Sequence, residues 1–333
     1  MTKILHLLDD AGVGGVTRGL SDHISRLGNG FQHEIQVVDT AWRLPRRMRA
    51  DIAVVHFTVN WTKLPFLTAL RAQLGGARVA LVEHSYTEAY ERLRVPRPRR
   101  FRTMLKLSYA QADRIIAVSR AQADWLVRAG AVPPGRLVAI PTASDTSALT
   151  AVPPVARHDG PIRLGAYGRY VPQKGFDVLI EAMRLVDPSV ATLEMRGLGP
   201  DFEALRDAAA GLPHVTVGGP VTDLPAYLGG LDAVAIPSRW EAFGLVNAEA
   251  RAAGRPILAA RTDGLVEQTE PATGILFPSE NPIATAAAIR DLATRDLTAM
   301  GAHARRSVEG ALDATIAGWT ALLTDLTHGR TAQ

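Results

Sequence analysis

Residues 231–250 read Leu-Asp-Ala-Val-Ala-Ile-Pro-Ser-Arg-Trp-Glu-Ala-Phe-Gly-Leu-Val-Asn-Ala-Glu-Ala, and no other stretch restricts the fold as much. Leu231 to Ile236 is a nearly continuous apolar run of strand length, the pattern of a strand covered on both faces. Pro237 and Ser238 end it, and a helix is expected from near Phe243. Glu241 and Glu249 bracket this turn and helix start. Eight residues of helix rise about 12 Å and turn to within about 80° of the starting direction, so the two acids are expected to face one cleft. That rise is too far for a glycosidase pair, whose carboxyls sit about 5–9.5 Å apart. It suits the two ends of one elongated ligand. The free N–H groups of the helix start between them favour an anion such as pyrophosphate. The plainer alternative is two solvated acids placed favourably in the helix dipole.

The same strand-to-turn step recurs along the chain. Short apolar runs are expected as strands at Ile4–Leu8, Glu34–Val38, Ile52–Val55, Val79–Val82, Ala112–Val118, Leu137–Ile140, Ile162–Tyr167, Leu193–Gly197, Val215–Val217, Pro256–Ala260 and Gly274–Phe277. Helical patterns separate most of them, including one from Arg120 to Arg128 with Ser119 as its N-cap. Alternation of this kind predicts an α/β protein. A length of 333 residues suggests two domains, and 47% hydrophobic with 21% charged residues supplies two ordinary cores. No apolar run approaches the 18 or so residues that span a bilayer. The start meets Asp9 and Asp10 too early for a signal peptide. There is no cysteine, which permits a reducing cytoplasm. The net charge of +4 suits phosphate-bearing ligands or an anionic surface.

Pro-Ser-Arg-x-Glu-x-Phe-Gly-Leu-x-x-x-Glu-Ala, from Pro237 to Ala250, resembles the signature of the retaining glycosyltransferase family 4. The resemblance implies a GT-B fold: two Rossmann-like domains facing a cleft, with a C-terminal helix returning to the first. The expected divisions are 1–152 for acceptor binding, 160–310 for the nucleotide-sugar, and 311–330 for the returning helix, with a Pro-rich connection over residues 151–161. By the same resemblance Glu241 lies near the transferred sugar and Glu249 holds the donor ribose, with Phe243, Gly244 and Leu245 at the helix start on the donor. Gly168-Arg169-x-x-x-x-Lys174-Gly175 resembles the family's phosphate clamp, and the two cations would neutralise a leaving diphosphate. Gly14-Gly15, followed by Arg18, resembles its glycine loop. His84, in Val82-Glu83-His84-Ser85, stands where relatives carry a histidine near the sugar. It would donate a hydrogen bond there or orient the acceptor, or else cap the next loop. His56 reads as structural. Two features depart from the family. Pro141-Thr142-Ala143-Ser144-Asp145 lacks the usual Asn-Gly pair, and Gly264, with Leu265, stands alone where relatives often have two glycines.

The resemblance implies a metal-independent hexosyltransferase with no cofactor, taking a nucleoside-diphosphate sugar as donor and a glycan or lipid-linked acceptor. No Asp-x-Asp occurs in the chain, nor a Gly-x-x-x-x-Gly-Lys-Ser/Thr loop. A sugar-nucleotide epimerase of the same architecture stays open as an alternative. So does an NAD-dependent oxidoreductase, for which Asp39 after the second strand would hold the ribose. Against the latter, Thr17 replaces the third glycine of Gly-x-Gly-x-x-Gly. Arg92, Arg94, Arg97, Arg99, Arg100, Arg102 and Lys106, interleaved with apolar residues, fit an anionic membrane surface, and Arg43, Arg46, Arg47 and Arg49 form a smaller cluster. A cytoplasmic protein, peripheral on the inner face of the membrane, is the expectation. Nucleic acid is not expected, because no recognition motif accompanies the charge.

Overall fold

The computed structural model describes residues 1–9, 15–28, 30–40, 48–156 and 158–328, with backbone only for 15–19 and 21. Gly14, Arg43, Arg46 and Arg47 lie outside the described residues. The chain divides into two compact units, Met1–Ser144 with Ala311–Gln333, and Asp145–Gly310.

The first unit contains β1 (Thr2–Leu8), β2 (Phe31–Val37), β3 (Ile52–Val55), β4 (Arg78–Glu83), β5 (Arg114–Ala117) and β6 (Leu137–Ala139). They form one sheet in the order β2-β1-β3-β4-β5-β6, parallel at every pairing. Alternate residues such as Leu5, Leu7, Val55 and Leu81 bury one face against the helices Leu64–Leu74 and Pro98–Tyr109. The helix Arg120–Arg128 has the N-cap expected of it: the Ser119 hydroxyl accepts from the Gln122 amide at 3.1 Å. Chain winding reverses beside β1, where β2 goes to one side and β3 to the other.

The terminal helix, Ala311–His328, packs in this unit, burying Trp319, Leu322, Leu323 and Leu326. The Thr315 hydroxyl donates to the Pro141 carbonyl at 2.8 Å, and Arg114 pairs with Asp325 at 2.9 Å. This helix is preceded by the helices Pro282–Ala293 and Leu297–Arg306 of the second unit. Gly310, with φ of +72°, marks the last change of direction, in a region only glycine enters freely.

The second unit adds β7 (Ile162–Arg169), β8 (Ala191–Leu198), β9 (Val215–Gly218), β10 (Ala233–Ile236), β11 (Ile257–Ala260) and β12 (Gly274–Phe277). Their order is β12-β11-β10-β7-β8-β9, again parallel throughout. Winding reverses between β7 and β10. The Pro-rich stretch is strapped onto this unit. Val152 and Val155 are buried, the Arg305 guanidinium donates to the Val152 carbonyl at 2.6 Å, and that of Arg255 to the Pro153 carbonyl at 2.9 Å.

Candidate functional site

In an open parallel sheet, ligands collect beyond the carboxyl ends of the strands, at the point where the winding reverses. In the second unit that point lies between β7 and β10, and the loops leaving these two strands carry Arg169, Lys174 and Glu241. The Lys174 ammonium lies 2.5 Å from Glu241 Oε2, and the buried Ser238 hydroxyl is 3.2 Å from the same oxygen. Arg169 ends β7 with an exposed side chain that engages no protein group among the described residues. One cation is thus half-buried and paired across the reversal, the other open to solvent.

The two loops are riveted together. The Arg239 guanidinium donates to both Asp177 oxygens at 2.9 and 2.7 Å, to Glu280 at 3.1 Å and to the Pro172 carbonyl at 2.7 Å. The Arg239 amide donates to the Gln173 carbonyl at 2.8 Å, and the Gln173 side chain returns a bond to the Trp240 carbonyl at 3.1 Å. Burial would raise the Asp177 carboxyl, but the Arg239 bonds win and hold it below the usual range. Arg239 of the sequence motif therefore positions the Lys174 loop. Close packing at this point also demands glycine: a Cβ on Gly175, where φ is +64°, would lie 2.2 Å from the Pro237 carbonyl oxygen.

The helix expected from Phe243 begins two residues later, at Leu245. Gly244 adopts φ of +96° ahead of it, and a Cβ there would meet Leu265 at 2.8 Å. Phe243 stays outside the helix because its carbonyl accepts from the Gln268 side chain at 2.5 Å. Since residues 241–244 are not helical, the separation expected for eight helical steps does not carry over to Glu241 and Glu249. Within the helix Leu245–Ala252, Asn247 donates to Thr269 at 3.0 Å and accepts from the buried Arg251 at 2.7 Å. Glu249, half-buried, accepts from the Tyr167 hydroxyl at 2.9 Å. The third loop of this site follows β11. The Glu241 amide donates to Asp263 at 3.1 Å, and the Gly264 amide donates to the Glu241 carbonyl at 3.1 Å. A Cβ on Gly264 would lie 2.4 Å from the Ala242 carbonyl oxygen, so this lone glycine is required by contact. Ser238 is a letter of the Pro-Ser-Arg motif, whereas Tyr167, Asp263 and Gln268 have no spacing signal of their own. Only their places, Tyr167 late in β7 and the other two in the helix Asp263–Gln268 that follows β11, could have drawn attention to them.

In the first unit His84 follows β4, half-buried. The acid before it, Glu83, is buried and accepts from the Ser85 and Tyr86 amides at 2.7 and 2.9 Å and from the Tyr109 hydroxyl at 2.7 Å. Burial raises the Glu83 carboxyl despite these three donors. His56, after β3, is 3.4 Å from His84, ring nitrogen to ring nitrogen. Both line a small cavity, about 20 Å³ and with room for about one water, beside His23 and Trp319. Gly15 heads the helix Gly15–Arg26. In the basic segment, Arg102 is spent on the buried Glu91, with bonds of 2.6 and 3.1 Å. The other six cations from Arg92 to Lys106 are exposed. Trp61 and Leu107 are exposed as well, and Arg100 stands over the Trp61 ring at 5.7 Å. Among the described residues no helix is long and apolar enough to cross a membrane.

Two family models match in succession: Glycosyltransferase Family 4 over residues 11–148 and Glycosyl transferases group 1 over residues 161–295. The D-inositol 3-phosphate glycosyltransferase of Geodermatophilus obscurus is 31% identical over 242 residues, covering 64% of this chain and 53% of that one. The chain spans about half the length of the curated relatives it matches first. Among solved structures, the sucrose-phosphate synthase of Thermosynechococcus elongatus superposes with a TM-score of 0.78 at 21% identity, over 99% of this chain and all (100%) of that one. Anabaena HepE in complex with UDP and glucose gives 0.77 at 17% identity, over 97% and 100%. Two Rossmann-like units, each a parallel sheet of six strands, make this a GT-B chain. Within that fold class it belongs to the glycosyltransferases of group 1, family 4.

Proposed function

We propose that the chain is a retaining, metal-independent hexosyltransferase that moves a sugar from a nucleoside diphosphate to an acceptor hydroxyl. Arg169 and Lys174 take the diphosphate, with the amides around Gly244 and Leu245 beside them. Glu249, held by Tyr167, takes the ribose. Glu241 faces the sugar, and His84 of the first unit serves the sugar or its acceptor. The acceptor oxygen attacks the anomeric carbon as the bond from that carbon to the diphosphate oxygen breaks. The acceptor proton passes to the departing diphosphate on the same face, which retains the configuration. The observation that carries this reading is the Lys174–Glu241 pair at the winding reversal, with Arg169, exposed and engaging no protein group among the described residues, at the end of β7. It supplies positive charge where a leaving diphosphate develops negative charge.

A thermal-shift screen with UDP, GDP, ADP and TDP tests the reading: one of the four should raise the melting temperature by several degrees. If none does, the diphosphate site is lost as an idea. Incubating the donor alone separates the remaining classes, since an epimerase would convert it without acceptor and an oxidoreductase would need a nicotinamide cofactor. The exposed cations of residues 92–106, with Trp61 and Leu107 beside them, support peripheral binding to an anionic membrane and hence a lipid-linked acceptor in glycan or exopolysaccharide synthesis.

A further inference from the structure

Four histidines of the first unit stand one per strand across four neighbouring strands. His33 lies on β2, His6 on β1, His56 directly after β3 and His84 directly after β4. Their ring centroids are 5.2, 5.3 and 5.7 Å apart, close to the spacing between strands, and their planes differ by only 24°, 29° and 22°. Ring nitrogens meet at every step. His33 Nδ1 is 3.0 Å from His6 Nε2, His6 Nδ1 is 3.0 Å from His56 Nε2, and His56 Nδ1 is 3.4 Å from His84 Nε2.

We propose that these imidazoles form a one-way line of hydrogen bonds that fixes the tautomer of His84, so that His84 presents Nδ1–H as a donor. A neutral imidazole has one N–H and one bare nitrogen. His6 and His56 each spend both nitrogens on neighbouring rings, so a neutral line must run in a single sense from end to end. The far end selects the sense. His33 Nε2 is buried and has no partner among the described residues. A buried N–H without an acceptor is costlier than a bare lone pair, so the proton of His33 sits on Nδ1 and is donated to His6. His6 then donates from Nδ1 to His56, and His56 from Nδ1 to His84 Nε2. The remaining proton of His84 is on Nδ1.

Neutrality follows from the surroundings. Burial, with His33 and His23 nearby, holds His6 down to about 3, and burial with His23 holds His84 down to about 4. Burial drives His56 well below its ordinary value, with His6, His84 and His23 adding to the effect. His33, His6 and His56 are positioning residues in this account. It rests on the proposed function only for what His84 donates to, a sugar or acceptor oxygen. It also removes His84 as a base for the acceptor proton, which then has the diphosphate to go to.

Two-bond proton–nitrogen NMR spectra of the full chain, labelled with 15N-histidine at pH 7.5, read the tautomers directly. His33, His6, His56 and His84 should all be Nδ1–H, the form that free histidine side chains disfavour. Four Nε2–H rings, or a mixed population at His84, would overturn the proposal. In His33→Asp an acceptor-only carboxylate takes the place of His33 Nδ1 beside His6 Nε2, so the sense of the line reverses and His84 should become Nε2–H. His33→Leu leaves His6 Nε2 as the buried nitrogen without a partner, so the sense is kept and His84 should stay Nδ1–H; this variant also serves if His33→Asp does not fold. A His84 signal unchanged in folded His33→Asp, or shifted to a mixture in His33→Leu, overturns the proposal too. None of these readings needs turnover, so failure of the nucleotide screen and failure of the line are told apart.

Discussion

Lys174 and Glu241 meet across the winding reversal of the second sheet at 2.5 Å, both largely out of solvent, with side-chain exposures of 18% and 11%. In the ligand-free protein the lysine charge is therefore partly spent on an acid of the same site. An incoming diphosphate competes with Glu241 for it. Lys174→Met should weaken binding of the nucleoside diphosphate by about 10–100-fold, roughly 1.4–2.8 kcal/mol. Glu241→Gln should act in opposite senses on two measurements. Calorimetric affinity for the bare diphosphate should be unchanged or tighter, while turnover falls by about 100-fold or more. A Glu241→Gln protein that binds the diphosphate more weakly would show that the pair builds the loop rather than competing for the ligand.

The Tyr167 hydroxyl donates a hydrogen bond of 2.9 Å to Glu249. Removing it leaves the carboxylate in place but less well aimed. Tyr167→Phe should raise the donor KM by about 3–10-fold with little change in kcat, the net size of one ordinary hydrogen bond. Glu249→Gln should raise it further. Initial-rate kinetics over a range of donor concentrations check both. Equal effects of the two substitutions on kcat would argue against a ribose contact.

Two glycines carry backbone contacts that no side chain can share. Alanine at Gly175 would place a Cβ 2.2 Å from the Pro237 carbonyl oxygen at φ of +64°, and alanine at Gly264 would approach the Ala242 carbonyl oxygen at 2.4 Å. Each should cost about 2 kcal/mol or more of stability. Gly219, whose added Cβ meets nothing within 4 Å, is the control. Urea unfolding should show Gly175→Ala and Gly264→Ala displaced well below Gly219→Ala.

Six cations from Arg92 to Lys106 are exposed beside Trp61 and Leu107, while Arg102 is committed to Glu91. A strip of this kind attracts an anionic surface at about 1 kcal/mol per cation near it, and salt screens the attraction. The protein should float with liposomes containing anionic lipid at low salt, and be released at high salt. Replacing Arg97, Arg99 and Arg100 by glutamine should abolish flotation, whereas Arg102→Gln should lower stability instead. Equal recovery with neutral liposomes would remove the electrostatic account.

Much of this was legible along the chain because the parallel strands are short, apolar and closed by proline, glycine or a cap. The run ending at Ile236 and the N-cap at Ser119 needed nothing beyond local chemistry. What escaped depends on register between distant segments. His6 and His33 look unremarkable in sequence, since only the sheet order β2-β1-β3-β4 sets them beside His56 and His84. Arg239 reads as one letter of a motif, yet its bonds to Asp177 and Glu280 come from folding together loops far apart in sequence. The helix begins two residues beyond Phe243, where the local pattern starts it, because Gly244 and Gln268 act on the backbone from outside that pattern.

The same buried histidines set how the fold responds to acid. In the unfolded chain each binds a proton near pH 6.5, whereas His84 and His6 in the folded protein wait until about 4 and about 3, and His56 lies well below the ordinary value too. Between these limits the unfolded state holds more protons, so stability is full above about pH 6.5 and is lost as the pH falls toward 4. Glu83 works the other way. Its raised carboxyl pKa favours the fold below the ordinary 4.5 and loses that contribution as the pH rises. Several histidines acting together against one carboxyl should still give a net loss on acidification. The urea midpoint should therefore drop steadily from pH 7 to pH 5, and the drop should be shallower in His6→Phe. A midpoint that stays flat over that interval would mean the rings are solvated and take up protons as they do in the unfolded chain, and the neutral line across the sheet could not persist at pH 5.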